Sequence, residues 1–171
     1  EDASGSSVSL NSNGTIVAIG SPEYDGANLN TNIGHVRIFG WNGLSWIKIG
    51  LDIEGEAVFD KSGSSVSLNS DGTIVAIGAP YNGANGKNSG HVRIFKWDGI
   101  AWNQLGTNIN GETTGDNCGY SVSLNSDGNI VAIGAPKNDG MALNSKDDRG
   151  HVRIYQWNGI DWDKLGLDID G

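Results

Sequence analysis

The chain has one cysteine, three prolines and no run of lysine or arginine. The lone thiol, Cys118, excludes an internal disulfide and a cysteine-based metal cluster, leaves the redox compartment unspecified, and reads as a small apolar residue. Twenty acidic residues against eleven basic ones give a net charge of −9. A surface of that sign lacks the cationic stripe that neutralises phosphates, so no nucleic-acid partner is expected. Apolar stretches such as residues 15–19 fall far short of the roughly 20 residues a spanning helix needs, so no membrane insertion is expected. No initiating Met and no signal peptide stand at the start, which points to a processed chain or an excerpt of a longer one.

What is present is glycine, 27 residues of it in 171, among Val, Ile, Ser, Thr and Asn. This composition suits short strands joined by tight turns, an all-β chain. The sequence then repeats itself. GSSVSLNSNGTIVAIGSP from Gly5 returns as GSSVSLNSDGTIVAIGAP from Gly63 and as GYSVSLNSDGNIVAIGAP from Gly119. A second block, GHVRIFGWNGLSW from Gly34, returns as GHVRIFKWDGIAW from Gly90 and GHVRIYQWNGIDW from Gly150. One supersecondary unit is used three times, over residues 1–62, 63–118 and 119–171, as one repeat domain.

Within each unit, apolar alternation flanks Asn13-Gly14, Asp71-Gly72 or Asp127-Gly128, and again Asn42-Gly43, Asp98-Gly99 or Asn158-Gly159. Read as type I′ turns, these dipeptides make two hairpins and four antiparallel strands per unit. That register sets Trp41 opposite Leu44 and Phe39 opposite Trp46 on one face, with Ile100 and Ile160 in the place of Leu44 in the other units. The six tryptophans are then packing residues, and a glycan-stacking platform is the sharper alternative. Four-stranded units of about 57 residues match the longer kind of β-propeller blade, whose two faces need neighbouring blades to cover them.

The run Gly63-Ser64-Ser65-Val66, then Gly78-Ala79-Pro80, then Gly90-His91-Val92-Arg93-Ile94-Phe95 resembles the FG-GAP repeat of integrin α subunits and of many secreted repeat proteins. Gly20-Ser21-Pro22 and Gly134-Ala135-Pro136 supply the other copies of the second element. The resemblance implies propeller blades, possession of an adhesion or scaffold role, and an extracellular or cell-surface location. Ser4, Ser62 and Cys118 stand where the family has Phe, a change that concerns packing. The family's calcium loop is replaced by Asn-Ser-Asp-Gly, which has too few carboxylates for the ion. A WD40 propeller is a poorer match, because Trp41-Asn42 and Trp157-Asn158 lack that family's Asp.

Almost every Ser, His and Asp recurs in the same setting, whereas catalysis needs a unique constellation, so the chain is expected not to be an enzyme. His35, His91 and His151 would form a symmetric metal site only if the blades converged there; otherwise each belongs to its own blade. Calcium remains a candidate ion at the alternating acids Asp52, Glu54 and Glu56 and at their C-terminal counterparts Asp168 and Asp170. Variation is confined to loops 21–33, 79–89 and 135–149, which places candidate partner contacts at Tyr24, Asp25, Tyr81, Asn82, Asp139 and Met141. The leading expectation is an extracellular scaffold or adhesion module that presents these loops to a protein or glycan. The alternatives are a structural subunit that binds copies of itself, as a homo-oligomer, filament or longer array, and a lectin-like module using the tryptophans. Three blades are fewer than a closed propeller has; two chains meeting through equivalent ends would make six, and contacts that fail to close would make a filament.

Overall fold

The computed structural model describes residues 2–27, 31–139 and 148–171. Among these residues every regular element is a β-strand. The first unit holds β1 (Ser7–Leu10), β2 (Ile16–Ser21), β3 (His35–Trp41), β4 (Trp46–Lys48) and β5 (Ile53–Glu54). The second holds β6 (Ser65–Leu68), β7 (Ile74–Ala79), β8 (His91–Trp97), β9 (Trp102–Gln104) and β10 (Ile109–Asn110). The third holds β11 (Ser121–Leu124), β12 (Ile130–Ala135), β13 (His151–Trp157), β14 (Trp162–Lys164) and β15 (Ile169–Asp170). Each is an antiparallel sheet in the order first, second, third, fourth strand, the fourth being broken into two pieces that both pair with the third. In the first unit Trp46 to Lys48 pair with Trp41 to Phe39, and Ile53 and Glu54 pair with Val36 and His35. These are propeller blades, three in succession.

The turns differ from the expected type I′ pair. In the first hairpin Asn11 N–H donates to Ile16 O, Gly14 N–H donates to Asn11 O, and only the glycine has positive φ, at 72°. The Asn11 side chain explains this: its Oδ1 accepts from Thr15 N at 2.9 Å and from Ile16 N at 2.8 Å, fixing a wider turn. In the second hairpin Asn42 N–H donates to Ser45 O, so Gly43 and Leu44 form the tip, and Asn42 Oδ1 accepts from the amides of Leu44 and Ser45. The turn centre therefore moves by one residue and every cross-strand partner by two. Trp41 lies opposite Trp46, with ring centroids 5.6 Å apart, and Leu44, Ile100 and Ile160 project into solvent at 89%, 86% and 85% exposure.

Each blade has two unlike apolar faces. One, the trailing face, carries Ala18, Val36, Ile38 and Ile53 in the first blade and packs against Val66, Leu68, Val75, Ile77 and Phe95 on the leading face of the second. The same layers recur between the second and third blades, where Ala76, Val92, Ile94 and Ile109 meet Val131, Ile133, Tyr155 and Trp162. The core thus lies between the sheets, and stability is expected to be a sum of blade and junction contributions. The innermost strands β1, β6 and β11 run side by side, joined by serines: Ser7 Oγ donates to Gly63 O and Ser65 Oγ to Gly119 O, each at 2.8 Å.

Candidate functional site

At each junction the third strand contributes a histidine and an arginine. Arg93 reaches back to the preceding blade, donating from Nη2 to Glu54 O at 2.6 Å and to Ser62 Oγ at 3.4 Å, with its guanidinium 5.3 Å from the Phe95 ring centre. Arg153 repeats this with Asn110 O at 2.9 Å, Cys118 Sγ at 3.5 Å and the Tyr155 ring. Cys118 is thereby a buried polar contact in the place of Ser62, and burial raises its thiol pKa, so it stays protonated. His91 Nδ1 lies 3.7 Å from Glu56 Oε2, beyond a hydrogen bond. Burial first, then Arg93, hold the imidazole below its ordinary value of 6.5 despite the acids Glu56 and Asp60. Burial and Arg37 do the same for His35 against Asp52 and Asp2.

This gives a pH prediction with a definite sign. A histidine whose folded pKa is lowered supports folding above the unfolded value and withdraws that support as pH falls through it, because only the unfolded chain takes up the proton. Stability should fall below pH about 6.5, by up to ~1.4 kcal/mol per pH unit for each of His35 and His91. A second loss begins below about the ordinary carboxyl value of 3.8. Asp52 is held under it by Lys48 and Arg37, although burial opposes them, and Asp168 by Lys164. Urea midpoints at pH 7.5 and 5.5 test the first step; equal midpoints would mean that the imidazoles charge normally inside the fold.

The candidate calcium acids are distributed over separate blades. Asp52 is paired with Arg37 at 2.9 Å and Lys48 at 2.6 Å. Glu54 lies on β5 with its side chain exposed; Glu56 accepts from Asn108 Nδ2 at 2.8 Å and faces Arg93. Asp170 pairs along β15 with His151, and Asp168 is bonded to Lys164. Asp168 also joins Glu112 and His151 in a cluster whose ligand atoms lie within 4.8 Å of one another, with Arg153 Nη1 3.4 Å from Glu112. Two cations therefore already compensate these carboxylates. No such cluster among the described residues contains two histidines, so they form no common centre. At the Asn-Ser-Asp-Gly turn, Asp71 Oδ1 accepts from Thr73 N and Oγ1 at 2.9 and 2.6 Å. The residues present there are committed to the turn and do not fit the family's ion.

The variable loops build a different surface. Residues 56–60 of the linker after the first blade and residues 81–84, 87 and 88 of the second blade's loop line a cleft of about 580 Å³. Val58, Phe59 and Tyr81 are 54%, 56% and 43% exposed there, and Lys61 Nζ sits 5.4 Å from the Tyr81 ring centre. Phe59 holds φ at +67°, a left-handed conformation that costs a non-glycine residue roughly 1 kcal/mol or more. The matching residue after the second blade is Gly115, also at positive φ. Tyr24 packs against His35 with ring centroids 4.0 Å apart and the rings tilted by 47°, and Asp25 Oδ1 accepts from the amides of Thr31 and Asn32. Asn82 is buried, donating to Asp60 Oδ2 at 3.0 Å, while Asp139 accepts from Asp148 N. Met141 lies outside the described residues.

Residues 54–95, from the end of β5 into β8, match the FG-GAP repeat family. The chain carries an FG-GAP repeat. The FG-GAP motif residues, strands and registers of that segment recur in the blades on either side. No curated protein matches the chain. Among solved structures it is similar to a protein assigned as a 6-phosphogluconolactonase from Bacteroides uniformis, with 11% identity and a TM-score of 0.62 over 96% of this chain and 40% of that one. The tricorn protease matches at 9% identity and a TM-score of 0.52, over 96% and 17%. The β-propeller domain of the Trilobed protease from Pyrococcus furiosus matches at 13% and 0.48, over 92% and 41%. The chain thus spans less than half the length of these proteins.

These similarities correct the expectation that the chain is not an enzyme. Chains named for a lactonase and a protease contain the same blades, so the fold does not exclude catalysis. The argument from repetition concerned the strands, and it does not reach the blade edges, the loops or anything attached to them.

Proposed function

We propose that this FG-GAP propeller module works outside the cell and presents the cleft between its first and second blades to a protein partner. The observation that supports this reading is the cluster of Val58, Phe59 and Tyr81, exposed together and carried in part on strained backbone. Exposed apolar groups beside a cation are the composition of an interface centre, where aromatics carry most of the binding energy. Strain kept at Phe59, where Gly115 does the same backbone task without it, is a cost that binding would justify.

Phe59→Gly should leave the melting temperature unchanged or slightly raised, since glycine adopts the left-handed conformation freely, while lowering affinity for the partner at least tenfold. Tyr81→Ala should lower affinity likewise. Binding measured against panels of secreted proteins and of glycans decides between partner classes: retention of a glycan by both variants, or full protein binding by both, would remove the cleft from the function.

Calcium enters this reading as a weak stiffening ion, because it has to displace Lys48 from Asp52 or Lys164 from Asp168. Dissociation constants near 10⁻⁴–10⁻³ M, usual for extracellular modules, are then expected on the order-of-magnitude scale. A melting temperature that rises only with millimolar calcium and falls again with chelator is the expected outcome. No shift at that concentration would leave the acids as plain ion-pair partners.

A further inference from the structure

The histidine that opens the third strand of every blade meets different company in each. Its Nδ1 is the nitrogen turned towards acid: 3.9 Å from Asp52 Oδ2 in the first blade, 3.7 Å from Glu56 Oε2 in the second and 3.9 Å from Glu112 Oε2 in the third. Two positions supply these acids. One follows the last strand of the preceding blade and holds Glu56 or Glu112; the other immediately precedes β5, β10 and β15 and holds Asp52, Asn108 or Asp168. Beside His91 the second position is an amide, and Asn108 Nδ2 donates to Glu56 Oε2 at 2.8 Å, joining the two. Beside His151 it is a carboxylate. Glu112 and Asp168 repel where Glu56 and Asn108 bond, yet the ligand atoms of Glu112, His151 and Asp168 lie within 4.8 Å of one another.

His151 adds a second observation. Its side chain is 1% exposed, Nε2 has no hydrogen-bond partner among the described residues, and Nδ1 stands beyond hydrogen-bond reach of Glu112. Burying a polar ring without a bond is unfavourable, so a lone pair aimed at two carboxylates calls for something between them. The carboxylates are the reachable part of the cluster, with the Glu112 and Asp168 side chains 42% and 25% exposed. Arg153 Nη1 lies 3.4 Å from Glu112 Oε1, Asn138 Nδ2 donates to Glu112 Oε2 at 3.4 Å, and Lys164 Nζ pairs with Asp168 Oδ1. A carboxylate offers about four acceptor sites, so both acids keep lone pairs for a further partner. A metal cation relieves the repulsion and takes the imidazole lone pair as well.

We propose that Glu112, His151 and Asp168 bind a divalent metal of the zinc class, and that the ion ties the second blade to the third. One nitrogen and two carboxylate oxygens suit zinc at about 2.0–2.2 Å with water in the fourth place, whereas calcium takes oxygen ligands. Closing onto the ion needs rotation of the two partly exposed carboxylates. Lys164, itself 36% exposed, returns to solvent as the ion replaces it on Asp168. Glu112 belongs to the segment leaving β10 and His151 to β13, so the ligands come from both sides of one junction. The site is independent of the cleft and of anything beyond either end of the chain. Asp52 keeps the corresponding place beside His35 although another blade packs after it.

Titration calorimetry of the full chain with zinc chloride tests this. Binding of one equivalent at micromolar zinc is expected, with a rise in melting temperature that chelator reverses. Calcium chloride at the same concentration should give neither. Asp168→Asn installs the amide that the second blade carries, and it should weaken zinc binding at least about tenfold, as should Glu112→Gln, since even partners outside the ligand set are worth about 10–100-fold. Asn108→Asp should add a second equivalent at Glu56 and His91, where Gln104 stands in the place of Lys164. Urea midpoints without metal show that each variant keeps its fold. No zinc binding by the unaltered chain overturns the proposal, as does binding that neither Asp168→Asn nor Glu112→Gln weakens. An equal response to calcium, which would mark a site of carboxylates alone, overturns it too, and so does an Asn108→Asp variant that still takes a single equivalent.

Discussion

Trp162→Ala should lower the free energy of unfolding by about 3–5 kcal/mol, the range found when a large buried aromatic is cut to a methyl group. Trp162 is 8% exposed within the core between the second and third blades, and its Nε1 donates to Leu105 O at 2.8 Å. The substitution removes most of the side chain from a layer with Ile94 and Ile109 behind it, and leaves a carbonyl of the preceding blade without its donor. Ile160→Ala, two residues earlier, should change stability by less than about 0.5 kcal/mol, because Ile160 is 85% exposed at the hairpin tip. Trp162→Phe separates packing from the hydrogen bond and should cost about 1–2 kcal/mol. Urea denaturation of the three variants reads all of these. Equal losses for Trp162→Ala and Ile160→Ala would restore the register in which both side chains share one packed face.

That register is where reading the sequence failed, and the reason is chemical. Asn-Gly suggests its own two residues as the turn centre, yet Asn42 here spends its side chain on the amides of Leu44 and Ser45 and stays at negative φ. The tip moves one residue on, and each cross-strand partner thereby moves by two residues, from Leu44 to Trp46 opposite Trp41. The period and the four strand positions were legible because each unit states them independently. The break in the fourth strand was not, since Ile49 keeps its hydrogen bond to Ile38 while the following residues leave the ladder, and nothing in their types announces it.

The candidate site divides in the same manner. Tyr81 was legible as loop variation and is exposed; Asn82 was named beside it and is buried, bonded to Asp60. Its recurrence as the equally buried Asn138 was the available sign of a structural duty, by the reasoning applied to the histidines. Val58 and Phe59 lie in the linker between blades, outside the repeated motifs. The signal lay in the comparison of GEAVFDKSG with GETTGDNCG: where one linker has Thr114 and Gly115, the other has two exposed apolar residues. Departure from the repeat, not the repeat, marks the surface that has something particular to bind.

Gly78→Ala is expected to be among the most damaging single methyls that can be added to the chain. Gly78 lies on β7, paired with Ser65, at an ordinary φ that alanine adopts without strain, so any effect must come from space. A Cβ there would come closer than 3.0 Å to the Gly119 carbonyl oxygen, and also to Ser65 Oγ. The serine is the weaker obstacle, although its hydroxyl would lose the 2.8 Å bond to that same carbonyl on rotating away. The carbonyl itself is backbone, fixed by the Gly119 amide donating to Gly134 O within the third blade. Relief therefore requires the second and third sheets to separate along their inner strands, loosening the layer of Ala76, Ile94, Val131 and Ile133 behind them. Overpacking a native core typically costs about 1–3 kcal/mol, and a clash with immovable backbone belongs at or above the top of that range. Gly99→Ala, at a hairpin tip with open space around its Cβ, supplies the contrast: it has only the strain of φ +100° to bear, about 1 kcal/mol. Urea midpoints rank the two, and hydrogen exchange locates the damage, with lost protection expected first at the amides of Leu124 and Ser70, which cross from blade to blade. Unchanged protection at those two amides would show that the blades tolerate the methyl and that their close approach at Gly78 is not what holds them in register.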